Sequence, residues 1–208
     1  MLYLYIVRHG QTVWNTEKRM QGLQDSKVTE KGLRHARALG ERVKDIDFER
    51  IYISTSKRTE DTAKAIAGTR DIPIVKDALF CEMALGEWEG KKQEEIEKAE
   101  QERLHAYFHQ PAAYEPAAGE SFAELETRAK EALHMLIRRH SSGHILVVSH
   151  SVFILMLLNI VKQRELTELW NSSYIHDTSL TVLAVDENGN ITIEKEGDGS
   201  HRDMIASL

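Results

Sequence analysis

Leu2-Tyr3-Leu4-Tyr5-Ile6-Val7-Arg8-His9-Gly10-Gln11-Thr12 is the stretch on which the fold turns. Its apolar start runs without a break, as in a strand buried on both faces, and a basic pair with a glycine stands at its end. The pattern returns far downstream, where Ile145-Leu146-Val147-Val148 leads into Ser149-His150. In an open parallel sheet ligands bind in the crevice beyond the carboxyl ends of the strands. Two histidines leaving two strand ends are therefore placed to face one another across a single site, which suggests phosphoryl chemistry.

Outward from these strands, residues 9–28 carry no clear period and read as a long functional loop. Thr29 reads as an N-cap, and Leu33, Ala36, Leu39 or Gly40, and Val43 share one stripe of a helix reaching about residue 44. Ile51-Tyr52-Ile53 is a second strand. Ser54-Thr55-Ser56 then caps a helix over about 57–67, with Arg58 in its first turn and its N-terminus toward the crevice, where an anion gains from both. Residues 72–75 read as a short strand and 79–90 as an irregular segment that re-enters the crevice. A charged helix over 92–109, a loop over 111–119 and an amphipathic helix carrying Phe122, Leu125, Ala129, Leu133, Leu136 and Ile137 come next. Strand 144–149, a helix over 151–161 and a hairpin turning at Asn188-Gly189 complete the chain. That turn has too few oxygen ligands for a calcium loop.

Alternating strand and helix signals predict an α/β fold: a three-layer α/β/α sandwich with a mostly parallel central sheet. With 208 residues the expectation is one domain over 1–208, with a helical, lid-like excursion at about 91–120. A formal charge of −6 argues against a nucleic-acid partner, which needs clustered lysine and arginine. No apolar stretch approaches the roughly 20 residues that span a bilayer, and no basic n-region opens the chain, so the expectation is a cytoplasmic protein without a membrane partner. Cys81 is the sole cysteine and reads as a buried small hydrophobe. Neither G-x-G-x-x-G nor a P-loop occurs, so no nucleotide cofactor is expected.

A phosphate monoester needs cationic, geometrically matched donors, and arginine supplies a permanent charge on a planar fork. Arg8 and Arg58 are the candidates, against the ordinary fate of arginine as a solvated surface charge. His9, beside Gly10, is suited to act as a neutral nucleophile near pH 7, and His150 has the same setting at the other strand end. No metal is expected, because further His, Asp or Cys ligands with recognisable spacing are missing. Glu82 is a candidate proton donor for a leaving alkoxide; residue chemistry alone leaves that role and a salt-bridged loop carboxylate both open.

Arg8-His9-Gly10-Gln11-Thr12 with Trp14-Asn15, Ser54-Thr55-Ser56-Lys57-Arg58 with Thr62-Ala63, Glu82 with Gly86-Glu87-Trp88-Glu89-Gly90, and Ser149-His150 resemble, in order, the histidine phosphatase superfamily, the phosphoglycerate mutase-like proteins. The resemblance runs from residue 2 to about 200 and implies the phosphoglycerate mutase-like fold. It implies that His9 attacks phosphorus, that Arg8, Arg58 and His150 surround the phosphoryl oxygens, and that Glu82 protonates the leaving oxygen and later deprotonates water. Asn15, Gln21 and Gly22 match loop positions that contact the phosphate or its ester in relatives. Three positions depart from the family pattern. Ser151 stands where glycine is common and is placed either to crowd the phosphate or to donate to it, while Thr59 and Cys81 flank catalytic positions without touching the proposed charges.

The resemblance leaves three activities to weigh: hydrolysis of phosphomonoesters, cofactor-dependent phosphoglycerate mutase transfer, and non-catalytic docking of phosphorylated ligands. Mutases carry an extra basic segment between the glutamate and the second histidine; here residues 91–119 hold one arginine, Arg103. With Thr12 after Gln11, this favours a phosphatase of the broad-specificity branch, acting on small-molecule phosphomonoesters. Leu104, Tyr107, Phe108, Pro111 and Tyr114 read either as an apolar lid favouring bulky or aromatic esters or as plain packing. Oligomeric state and physiological substrate are not legible.

Overall fold

The computed structural model describes residues 1–172 and 174–207, with side chains through 203. The regular elements are β1 (Leu2–Arg8), α1 (Val13–Thr16), α2 (Glu30–Arg42), β2 (Phe48–Ile53), α3 (Lys57–Ala67), β3 (Ile74–Lys76), α4 (Gln93–His109), α5 (Phe122–Arg139), β4 (Gly143–Ser149), α6 (Ser151–Val161), β5 (Leu180–Val185) and β6 (Ile191–Asp198). The sheet order is β3-β2-β4-β1-β5-β6. β1, β2, β3 and β4 pair in parallel, and β5 alone runs opposite to the other five strands.

Both sheet faces are covered, which is why β1 and β4 read as continuous apolar runs. Leu2, Leu4, Ile6, Ile145 and Val147 enter one core with α5 and α6, while Val7, Leu146 and Val148 enter a second with α2 and α3. This gives the expected three layers. α6 is apolar nearly all round because every residue from Val152 to Asn159 is buried between the sheet and its neighbours.

Boundaries shift where local chemistry intervenes. β2 starts at Phe48, whose buried ring is followed by exposed Glu49 and Arg50 and a register shift. The strand expected over 72–75 is displaced to Ile74–Lys76, because Pro73 has no N–H for the ladder and offers only its carbonyl, to Ile51 N at 2.9 Å. The loop at 9–28 contains α1, capped by Thr12. α4 is broken at Glu100, with φ −147° and ψ 45°; there the Glu100 carboxylate accepts from Trp88 Nε1 at 3.1 Å. No helix among the described residues is long and apolar enough to cross a membrane.

The parallel register does most to build the crevice. Arg8 pairs with Ser149 and Ile53 with Val148, so His9, His150 and Ser54 leave three adjacent strands on one edge of the sheet.

Candidate active site

The His9 and His150 rings lie 5.2 Å apart between centroids, at 61°. His9 Nδ1 is 2.8 Å from the Gly10 carbonyl. A carbonyl only accepts, so Nδ1 carries the proton and Nε2 is left with a free lone pair. Burial, and then the charges of Arg58 and Arg8, hold the His9 pKa well below 6.5. The ring is thus a neutral imidazole at ordinary pH. His150 is lowered for the same leading reasons, burial and then Arg58. Its Nδ1 accepts from Arg58 Nη2 at 3.0 Å, and its Nε2 donates to Ser54 Oγ at 2.8 Å.

Gly10 permits a close approach of backbone. A Cβ on Gly10 would stand 3.0 Å from the Gly32 carbonyl, and one on Gly32 would stand 2.5 Å from that of Gln11. α2 therefore packs directly on the turn carrying the nucleophile candidate. From the other side, Thr62 of α3 accepts from Gly10 N at 2.8 Å.

Arg8 and Arg58 are both buried, Arg58 to 1% exposure, which removes the solvated-surface reading. Arg58 Nη1 donates to Gln24 O and Asp25 Oδ1 at 2.7 and 2.9 Å, and Nη2 to Gly22 O and His150. Arg8 Nη1 donates to Ile175 O at 2.6 Å. The Nε atoms of Arg8 and Arg58 are buried and have no partner among the described residues. Both arginines line one cavity, so two guanidinium charges stand at its wall in a setting that suits an anion. The helix start before Arg58 is not open to an anion as expected: Ser56 makes no side-chain cap, and Asp25 accepts from Lys57 N and Arg58 N instead.

Glu82 is docked on the N-terminus of α6. Oε1 accepts from Met83 N and Phe153 N at 3.0 and 3.1 Å, and Oε2 from Val152 N and Ser151 Oγ at 3.2 and 3.3 Å. The departure at Ser151 is resolved by this contact, since its hydroxyl turns to Glu82.

A cavity of about 430 Å³ brings together Arg8, His9, Asn15, Gln21, Gly22, Arg58, Glu82 and Ser151. His150 lies behind it, walling a neighbouring cleft of about 500 Å³ with Arg58 and Glu82. Asn15 Oδ1 and Gln21 Oε1 both accept from Thr12 Oγ1. Gly22 holds φ +54° and presents its carbonyl to Arg58, and a side chain there would collide with Glu89. Tyr107 and Phe108 reach the same cavity, whereas Leu104, Pro111 and Tyr114 are buried in packing. Among the described residues no group of three or more His, Cys, Asp or Glu is placed to share a metal ion.

The model of the histidine phosphatase superfamily (branch 1) matches residues 4–197. The chain belongs to that superfamily. This histidine phosphatase is 29% identical over 194 residues to "Phosphoserine phosphatase 1" of Hydrogenobacter thermophilus, covering 93% of this chain and 92% of the relative. It is 32% identical over 161 residues to "Probable phosphoglycerate mutase GpmB" of Erwinia tasmaniensis, covering 77% and 75%. The solved structure of Bacillus stearothermophilus YhfR superposes with a TM-score of 0.94 at 40% identity, over 97% of this chain and all of that one. These likenesses support a phosphatase that takes a small phosphate ester.

Several residues of this histidine phosphatase site escape a reading by sequence. Asp25 pairs with Arg58 from an aperiodic loop; the signal for it is that a buried arginine requires an acidic partner. The Thr59 side chain bonds to none of the proposed charges; its hydroxyl contacts Ser54 and Ser56 behind His150. Cys81 is half-exposed rather than buried and contacts Thr55 Oγ1 at 3.2 Å. Arg128 of α5 grips the backbone that carries Glu82.

Proposed function

We propose that this chain hydrolyses phosphomonoesters through a phosphohistidine on His9, without a metal, and that Glu82 moves the proton. The observation that carries this reading is the His9 tautomer: Nδ1 is tied to Gly10 O, so the unprotonated Nε2 is the nucleophile. Nε2 forms a bond to phosphorus as the ester P–O bond breaks, and Glu82 gives its proton to the departing oxygen. Water then attacks phosphorus, the P–N bond breaks, and Glu82 takes the proton back. Phosphoryl transfer needs positioning and charge stabilisation above all, and the guanidinium groups of Arg8 and Arg58, which line the cavity with His9, supply both. Asn15, Gln21, Gly22 and Ser151 border the bound ester.

Hydrolysis is favoured over mutase transfer because Arg103 is already engaged. It pairs with Glu100 and lies 5.2 Å over the Trp88 ring. Beyond the phosphate groups the cavity is lined by Leu85, Tyr107, Phe108, Leu155 and Trp170, with Arg19, Gln93, Ser172 and Tyr174 among them. Among the described residues Glu82 is the only acidic one in the lining, so the ammonium of a phosphoserine would find no dedicated partner there. This supports bulky or aromatic monoesters as substrates, with the 91–120 excursion supplying part of the wall.

Rapid quench with a labelled monoester tests the scheme. The native chain should trap label in an acid-labile, base-stable adduct on His9, and His9→Ala should lose the adduct and roughly 10⁴-fold or more of kcat. Release of phosphate by His9→Ala at the native rate would overturn it. Phe108→Ala should raise KM for an aromatic ester about tenfold while sparing glycerol phosphate.

A further inference from the structure

Arg128 of α5 does not line the cavity that holds His9; with Glu120 it walls the neighbouring cleft of about 500 Å³ beside Glu82 and His150, and all five of its N–H donors are committed around Glu82. Nη1 donates to Leu79 O and Cys81 O at 3.0 and 2.8 Å, and Nη2 donates to Glu82 O at 3.3 Å. The remaining donors make a two-point pair with Glu120, Nε to Oε1 at 2.8 Å and Nη2 to Oε2 at 2.6 Å. Glu120 closes the other side of the loop: its N–H donates to Ala84 O at 2.9 Å, and its carboxylate accepts from Ala84 N at 3.4 Å. The guanidinium also lies 5.7 Å over the Phe153 ring, and Phe153 N holds the Glu82 carboxylate.

We propose that Arg128 and Glu120 are positioning residues for proton transfer, fixing the 79–84 backbone so that the Glu82 carboxyl meets the ester oxygen. The inference rests on the reading of Glu82 as proton donor. A planar fork is needed, because five donors reach three carbonyls and one carboxylate in a single geometry. Lysine, a point charge with three donors, cannot satisfy that set. Arg128 has no N–H left for a phosphoryl oxygen and Glu120 has no donor to offer one, so phosphate binding should be spared when either is changed.

The test compares p-nitrophenyl phosphate, whose phenolate leaves without a proton, with 2-phenylethyl phosphate, whose alkoxide needs one. Glu82→Gln should lower kcat/KM for the alkyl ester about 100-fold more than for the nitrophenyl ester. Arg128→Gln should do so about tenfold more, with vanadate inhibition within about twofold of native, and Arg128→Lys should recover only part of the loss. Glu120→Gln, which keeps an acceptor for Ala84 N, should show the same bias more weakly and decides the matter if Arg128→Gln does not fold. An equal loss on both esters in the Arg128 and Glu120 variants, beside a biased Glu82→Gln, overturns the positioning role alone. An unbiased Glu82→Gln overturns the proton-donor reading, and the positioning role falls with it.

Discussion

Arg58 Nη2 donates to His150 Nδ1 at 3.0 Å, and this contact decides where the proton of His150 sits. An arginine cannot accept, so Nδ1 is bare and Nε2–H faces Ser54. The site at rest holds two neutral imidazoles beside two guanidinium groups. His150 thus has one N–H to give, at Nε2, and Ser54 Oγ takes it in this arrangement.

The pH behaviour of His9 is set by its surroundings. Its pKa is pushed well below 6.5 by burial, Arg58 and Arg8, so the free nucleophile persists on the acid side of neutrality and protonates only at lower pH. Arg58→Gln removes a positive neighbour and should move the His9 titration upward, toward 6.5. Imidazole NMR across pH 3–8 reads this directly. An unmoved or lowered midpoint would contradict it.

Asp25 caps α3 and pairs with Arg58, so its two roles should separate by substitution. Asp25→Ala should cost about 1–2 kcal/mol in urea unfolding and raise KM several-fold as Arg58 loses its orientation. Asp25→Asn keeps an acceptor for the helix N–H groups. It should recover most of the stability and less of the affinity.

Acid should unfold this chain partly through His201, which is fully buried with its pKa lowered to about 4, chiefly by burial and then by Arg42 and Arg202. The unfolded chain takes up that proton near 6.5, so between the two values it binds more protons than the folded one. Stability falls as pH drops through that window, by up to about 3 kcal/mol from this group. His201→Gln should flatten the fall in urea midpoints between pH 6.5 and 4.

Ser151 spends its hydroxyl on a long 3.3 Å contact to Glu82, while three backbone N–H groups, of Met83, Val152 and Phe153, hold the same carboxylate. Ser151→Gly should therefore leave kcat/KM within about threefold of native and phosphate inhibition unchanged. A tenfold weakening of phosphate would place the hydroxyl on the substrate instead.

The fold and the pair of histidines were legible because they rest on runs of apolar residues that end at the crevice. A buried parallel strand has no polar face, so β1 and β4 announce themselves, and the residues just past their carboxyl ends share one edge of the sheet. Glu82 lies in an irregular segment, and its docking on α6 depends on a fold-wide approach without local period. Asp25 and Arg128 were hidden for the same reason. Their partners are backbone groups or residues far along the chain, and no spacing marks a side chain whose task is to hold a carbonyl. Cys81 shows the limit of reading a departure by residue type alone, since it sits where tertiary contact sets exposure and bonding.

β4 enters the sheet between β1 and β2, so the strands bearing His9 and Ser54 have no direct contact until a segment made much later arrives. A ribosome-bound chain ending before Gly143 would already own Arg8, His9, Arg58 and Glu82, yet lack the middle of the sheet that holds them together. Assembly of the candidate site therefore waits on β4: a chain cut before Gly143 should be silent in a phosphate-release assay although it carries those four side chains.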